Sequence, residues 1–199
     1  MIFKLFKPLL PALLASAAIL LVANKSMAEE VQKVKFATTA GDFVVEVYPD
    51  KAPKTVENFL QYVKEKHYDG TIFHRVIDNF MIQGGGFDSK FSQKKTRPPV
   101  AHEGREAIAK GGPRNTVGTL AMARTNDPQS ATAQFFINVN DNAFLDPNAQ
   151  QPGYTVFGKV VSGMDIIQKV KSTPTGSGGP FPSDVPKTAI LINSATLVK

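Results

Sequence analysis

Between Tyr68 and Gly85 the chain reads Tyr68-Asp-Gly-Thr-Ile-Phe73-His74-Arg75-Val-Ile-Asp-Asn-Phe80-Met81-Ile-Gln83-Gly84-Gly85, one guanidinium among apolar and amide side chains with no Ser, Cys or Lys in the run. That inventory suits chemistry in which a strained or twisted state is stabilised, since bond cleavage by covalent catalysis needs an activated nucleophile. Alternate side chains of a strand share a face. Phe73 and Arg75 are therefore expected to point one way on a first strand, and Met81 and Gln83 to agree on a second. A turn at Asp78-Asn79 brings Arg75, Met81 and Gln83 onto one patch.

The elements that must position this patch are mostly period-two segments. Val34 to Thr38 and Asp42 to Tyr48 flank Ala40-Gly41 as a hairpin. Strands are expected at Thr71 to Ile77 and Phe80 to Gln83, then at Gly118 to Met122, Gln134 to Val139, Val156 to Val161 and Ile190 to Val198. Val56, Phe59, Leu60 and Val63 recur at helical spacing, and Pro53 suits a first helical turn. A second helix is expected at Met164 to Val170. Gly84 to Val117 has no sustained period and reads as a long loop, with a short helical turn near Ala107 to Lys110. Eight strands, two helices, no repeat and no second-domain boundary make a mainly β fold, with an antiparallel sheet closed into an eight-stranded barrel capped by two α-helices.

The first 28 residues read as an address. Lys4 and Lys7 precede an apolar stretch of 16 residues from Pro8 to Ala23, and Ser26-Met27-Ala28 supplies the small residues of a cleavage site. The mature chain is expected to begin at Glu29, in the periplasm, with no remaining membrane segment. A spanning helix wants about 20 apolar residues, and Pro11 interrupts this shorter stretch. The chain has no Cys, which excludes a disulfide framework and a lipid-bearing cysteine at the cleavage point. Removing the three leader Lys leaves 23 − 3 = 20 basic against 17 acidic residues, so the net charge falls from +6 to +3. Lys90, Lys94, Lys95 and Arg97 cluster but carry no interleaved aromatics, so a solvated mobile loop is expected and nucleic acid is not an expected partner.

These residues carry a resemblance. The Phe-His-Arg and Phe-Met-x-Gln-Gly-Gly runs between Tyr68 and Gly85 resemble the signature of the cyclophilins, which are peptidyl-prolyl cis-trans isomerases, and in particular their exported bacterial members. Gly118-Thr-Leu-Ala-Met-Ala123, Gln134-Phe-Phe136-Ile and Val156-Phe-Gly-Lys-Val160 are similar to three further family segments, in order. The resemblance spans about residues 33 to 198. It implies an isomerase, needing no cofactor, that assists the folding of exported proteins and takes proline-containing unfolded or extended polypeptides. It implies that Arg75 is the catalytic arginine and that Gln83 holds the substrate backbone beside it. Phe80, Met81, Phe136 and Leu145 match the walls of the proline pocket, and Ala123 with Gln134 the groove for residues preceding the proline.

Three positions depart from the commonest family pattern. Phe144 stands where many members have Trp, Tyr154 where many have His, and Arg124 where Asn is common; the Asn126-Asp127-Pro128-Gln129 loop is one residue longer. Phe144 and Tyr154 are still expected at the substrate groove. The family's Trp donates its indole N–H to cyclosporin, so weak cyclosporin binding is expected here. A monomer is expected.

Each feature has a plainer counterpart. Phe80, Met81 and Phe136 taken alone read as core. His67, His74 and His102 match no compact zinc spacing, and His74 reads as a hydrogen-bonded interior residue. Ser130 and Ser162 sit in no strained turn of the kind a hydrolase needs. A non-catalytic peptide-binding module is the alternative function, and a degenerate binder could lose Arg75 and Gln83 while keeping the pocket.

Overall fold

A computed structural model describes residues 31–198; the expected leader and its cleavage site lie outside the described residues. Eight antiparallel strands close into a barrel in the order β1-β10-β3-β4-β6-β5-β7-β2, with β2 pairing back to β1. These strands are β1 (Gln32–Thr38), β2 (Gly41–Val47), β3 (Thr71–Ile77), β4 (Met81–Asp88), β5 (Thr119–Met122), β6 (Phe135–Asn138), β7 (Val156–Ser162) and β10 (Leu191–Leu197). Seven coincide with those expected from the sequence to within two residues at the ends, whereas β4 runs on through Gly84 to Asp88, the start of the segment that reads as loop. The barrel interior is filled by the inward face of each strand: Val34 and Phe36, Phe43 and Val45, Ile82, Leu120 and Met122, Phe135 and Ile137 are all at most 2 % exposed. Aromatic rings dominate it. Phe36 stacks on Phe43 at 4.9 Å, and Phe59 reaches in from a helix to within 5.1 Å of Phe157.

That helix, α1 (Pro53–Lys64), buries Val56, Phe59, Leu60 and Val63 against the barrel as their spacing predicts. No side chain of its own caps its N-terminus. The buried Glu103 carboxylate does so from 48 residues away, accepting from the Thr55 N–H at 2.8 Å and the Lys54 N–H at 3.2 Å, where free helix donors and the dipole favour an anion. At the other end of the barrel, α3 (Met164–Lys171) buries Ile167 and Val170.

Two helices were too few. A short α2 (Gly104–Ala109) lies in the long Gly84–Val117 segment, starting a little ahead of the turn expected there. The basic run in that segment is also held more tightly than a mobile loop would be. Lys94 Nζ donates to the carbonyls of His67 and Asp69, at 2.5 and 3.1 Å, and Arg97 pairs with Glu65 at 2.7 Å. A ninth and tenth strand, β8 (Thr175–Gly178) and β9 (Phe181–Pro186), form a separate hairpin. Its sequence, Thr-Gly-Ser-Gly-Gly-Pro-Phe-Pro-Ser-Asp-Val-Pro, has the composition of a loop and no apolar alternation. Among the contacts that hold it is one ring, Phe181, which lies 5.4 Å from His74 of β3 and 5.2 Å, edge-on, from Phe87 of β4.

Candidate active site

Arg75 and Gln83 are direct cross-strand partners on β3 and β4, and Gln83 in turn faces Phe136 on β6. Ile77 opposes Met81 two positions along. The outward faces of β3, β4 and β6 thus bring a guanidinium, an amide and three apolar side chains together.

One step of the sequence expectation fails in an instructive way. Phe73 and Arg75 do not share a face. The register shifts between them, with Phe73 opposite Gly84 and Arg75 opposite Gln83, so that His74 is an extra residue in the strand. A bulge of this kind bends the strand and reverses the alternation beyond it. Phe73 and Val76, three apart, both enter the core, while Arg75 turns outward half-buried. Regular alternation would have put Arg75 on the side of Phe73, inside the barrel.

The apolar residues of the patch are not an extension of the core. Met81, Ala121, Phe136 and Val156 are at most 4 % exposed yet form a cluster of their own, bordered by Ile77, Phe80, Ala123, Leu145 and Tyr154. They sit on the outer face of the same strands whose inner residues fill the barrel. The cluster floors a pocket of about 90 Å³ lined by Arg75, Phe80, Met81, Gln83, Ala123, Arg124, Phe136, Leu145 and Tyr154. Eight of the ten sequence-predicted site residues meet here. Gln134 lines an adjoining basin of about 540 Å³ that shares Arg75, Gln83, Ala123 and Arg124 with the pocket. Phe144 lies outside both cavities, 63 % exposed on the rim, with its ring stacked on Phe80 at 5.7 Å.

Hydrogen bonds fix the polar members. Gln83 Nε2 donates to Gln134 Oε1 at 3.0 Å. Gln134 itself passes so close to Gly86 that a Cβ there would meet its Cγ and Cδ at 2.5 Å, which is why a residue without a side chain follows Gly84-Gly85. On the far wall the Tyr154 ring meets Phe136 edge-on at 5.4 Å, and the Arg124 guanidinium lies over the same ring at 4.5 Å. Arg75 is held differently: its Nε is 3.8 Å from Asp184 Oδ2, an acid carried by β9.

A buried polar network supports the apolar wall, and sequence reasoning missed it. Asn142 Nδ2 donates to the Phe80 carbonyl at 2.8 Å and to Asn138 Oδ1 at 2.7 Å. Asn138 donates to Thr119 and Asn115, and Asn115 donates to Asp146 at 2.8 Å. The network brackets the single turn Ala143–Leu145 that delivers Leu145 to the pocket. Spaced Asn and Asp residues in a loop are common, so only the fold distinguishes these. Asp184 was equally hidden, lying in the hairpin that read as loop. Arg124 was visible only as a departure from a family pattern.

His74 is interior, as expected, packed between Phe87 and Phe181, and its Nδ1 is buried without a hydrogen-bond partner. Burial, reinforced by the neighbouring Arg75 charge, pushes its pKa down to about 4. Among the described residues no group of three or more His, Cys, Asp or Glu side chains is placed to hold a metal. Ser130 Oγ donates to the Asp127 carbonyl at 2.7 Å and accepts from Thr125, with no base against it. The arrangement offers two guanidiniums and an amide beside a small apolar slot, with no Ser, Thr, Cys or Lys lining it.

Known proteins share both the sequence and this fold. The family described as cyclophilin type peptidyl-prolyl cis-trans isomerase/CLD matches residues 33–197. Peptidyl-prolyl cis-trans isomerase B of Escherichia coli (strain K12) is 52 % identical over 167 residues, covering 82 % of this chain and 98 % of that protein. A peptidyl-prolyl cis-trans isomerase of Acinetobacter baylyi is 47 % identical over 178 residues, 89 % of this chain and 90 % of its own. The crystal structure of a Cryptosporidium parvum cyclophilin type peptidyl-prolyl cis-trans isomerase superposes with a TM-score of 0.65 at 23 % identity, covering 85 % of this chain and 99 % of that one, a likeness of fold. With a family match across nearly all of the described residues and relatives 47–52 % identical that are matched over at least 90 % of their own length, this chain belongs to the cyclophilin-type peptidyl-prolyl cis-trans isomerases.

Proposed function

We propose that the protein accelerates X-Pro isomerisation during the folding of exported proteins, by non-covalent stabilisation of the twisted imide, acting as a monomer. The observation that carries this reading is the cross-strand pairing of Arg75 with Gln83 above an apolar pocket that contains no nucleophile. Amide resonance sets a rotational barrier of about 18–20 kcal/mol. Twisting the bond localises a lone pair on the proline nitrogen, and a guanidinium beside it stabilises the twisted form over both planar ones.

A thousandfold acceleration needs about 4 kcal/mol of differential stabilisation, whereas one charge-assisted hydrogen bond contributes about 1.5–3 kcal/mol. Arg75 therefore does not act alone. Phe80, Met81, Phe136 and Leu145 grip the pyrrolidine ring and exclude water, which weakens the resonance of the amide. Gln83, held by Gln134, fixes the preceding backbone. Ala123 and Gln134 receive the residues before the proline, while Tyr154 and the Phe144 ring edge the groove. A related Cryptosporidium parvum protein has been solved in the presence of the dipeptide Ala-Pro. This supports proline-containing polypeptides as the substrate class.

The deciding experiment is NMR exchange of an Ala-Pro or Gly-Pro peptide with purified residues 29–199. Exchange no faster than without protein would leave a peptide-binding module as the reading. The periplasmic location rests on the basic start, short apolar stretch and Ser26-Met27-Ala28 site of the sequence. Protein recovered from cells should begin at Glu29, and a membrane-bound form retaining Lys4 and Lys7 would refute export as a cleaved protein.

A further inference from the structure

The pocket and the adjoining basin share a saddle made by Arg75, Gln83, Ala123 and Arg124. The linings of both cavities carry two guanidiniums and no carboxylate. The two cations are not equivalent. Arg75 has Asp184 at 3.8 Å, whereas none of the ion pairs among the described residues includes Arg124.

Arg124 is instead locked by neutral groups. Its Nε and Nη2 donate to the Gly153 carbonyl at 3.2 and 2.8 Å, Nη1 donates to the Thr125 carbonyl at 2.8 Å, and Cζ lies 4.5 Å over the Tyr154 ring. Carbonyl dipoles and a ring face orient a guanidinium but leave its unit charge uncompensated. The neighbouring acid in the chain, Asp127, does not line the basin and spends its carboxylate on the Gln129 N–H at 2.9 Å. A fixed, unpaired cation at a groove attracts an anionic ligand without first losing rotamer freedom.

We propose that Arg124 determines specificity, and that the isomerase favours polypeptides carrying an acidic side chain one or two residues before the X-Pro bond. The proposal rests on the isomerase reading, in which Ala123 and Gln134, both lining the basin, receive the residues preceding the proline. An extended chain advances about 3.3 Å per residue, so a side chain at that remove from the ring reaches across the saddle. The selection is electrostatic, and screening by salt abolishes it.

The test compares peptides Gly-Xaa-Ala-Pro-Phe-Gly with Xaa as Glu, Gln or Lys, by NMR exchange under kcat/KM conditions. Exposed charge pairs are worth up to about fivefold each, so attraction of Glu and repulsion of Lys together should separate the two by about tenfold at low salt. In 1 M NaCl the ratio should fall below about two. Arg124→Gln should narrow the low-salt ratio to about two, and Arg124→Lys should keep much of it. The ratio is internal to each protein, so a general loss of activity in a variant does not disturb it. Equal rates for Glu and Lys with a well-isomerised Gln peptide would overturn the charge selection alone. So would a ratio that survives Arg124→Gln or 1 M NaCl unchanged. Failure to isomerise the Gln peptide would overturn the isomerase reading and this inference with it.

Discussion

Asp184 Oδ2 lies 3.8 Å from Arg75 Nε, joining the candidate catalytic arginine to a hairpin outside the barrel. The two side chains are 44 % and 35 % exposed, so the pair is worth less than about 1 kcal/mol to stability. Its effect should fall on orientation. Asp184 occupies a left-handed backbone position with φ of 67°, a conformation Asn tolerates as well as Asp, so Asp184→Asn isolates the charge. We expect stability within about 0.5 kcal/mol of the parent and kcat for a Gly-Pro peptide down by about two- to fivefold, with KM little changed. A rise in kcat would mean that Asp184 screens the guanidinium instead of aiming it.

The guanidinium itself should resist conservative replacement. A planar fork directs two parallel donors, and an ammonium presents the same charge as a point. Arg75→Lys should therefore lose most of the activity, and Arg75→Ala should be little worse. Because the side chain lines an open groove, both should fold. NMR exchange should slow at least about tenfold, equivalent to about 1.4 kcal/mol in the transition state, while peptide affinity drops only modestly. Wild-type exchange by Arg75→Ala would reduce the arginine to a groove residue.

The barrel was legible because each of its eight strands alternates or carries a compact apolar run, and α1 because Val56, Phe59, Leu60 and Val63 mark its buried face. What was not legible depended on contacts far apart in sequence. The bulge at His74 leaves no trace in residue type, yet it decides that Arg75 faces the pocket and Phe73 the core. The β8–β9 hairpin has the composition of a loop and is held by Phe181 on His74 and Phe87. Gln134 as the partner of Gln83 needs β4 and β6 to be neighbours, 51 residues apart, which only the closed sheet supplies. The pocket walls were found through a motif; their separation from the core emerged only with the outward faces of β4, β5 and β6.

Phe144 should bear on inhibitor binding more than on turnover. Its ring is 63 % exposed and stacked on Phe80, so it offers an apolar face at the rim but no donor. Cyclosporin should inhibit weakly while small peptides turn over normally. Phe144→Trp restores an N–H and should tighten inhibition by about 0.5–1.5 kcal/mol, roughly two- to twelvefold, without changing kcat/KM for a tetrapeptide by more than about twofold. Unchanged inhibition in a titration would point to the opposite rim, where Arg124 is locked over Tyr154.

Stability should decline on mild acidification, and His74 should be the main cause. Its ring is 3 % exposed, its Nδ1 has no partner and Arg75 is adjacent, which together hold its pKa near 4 against 6.5 for the free side chain. Between those values the unfolded chain binds a proton that the folded one refuses, so stability is intact above pH 6.5 and lost as pH falls toward 4. A shift of that size corresponds to about 3 kcal/mol once complete, of which about 2 kcal/mol is gone by pH 5. His67 and His102, both also shifted down chiefly by burial, add to the loss in the same direction. Urea unfolding at pH 7 and pH 5 measures the total. His74→Phe, which keeps a ring between Phe87 and Phe181 but cannot titrate, should reduce the pH 7 to pH 5 difference by about 2 kcal/mol. If the variant loses as much stability as the parent over that interval, the acid sensitivity belongs to other groups, and His74 accepts its proton in the folded state.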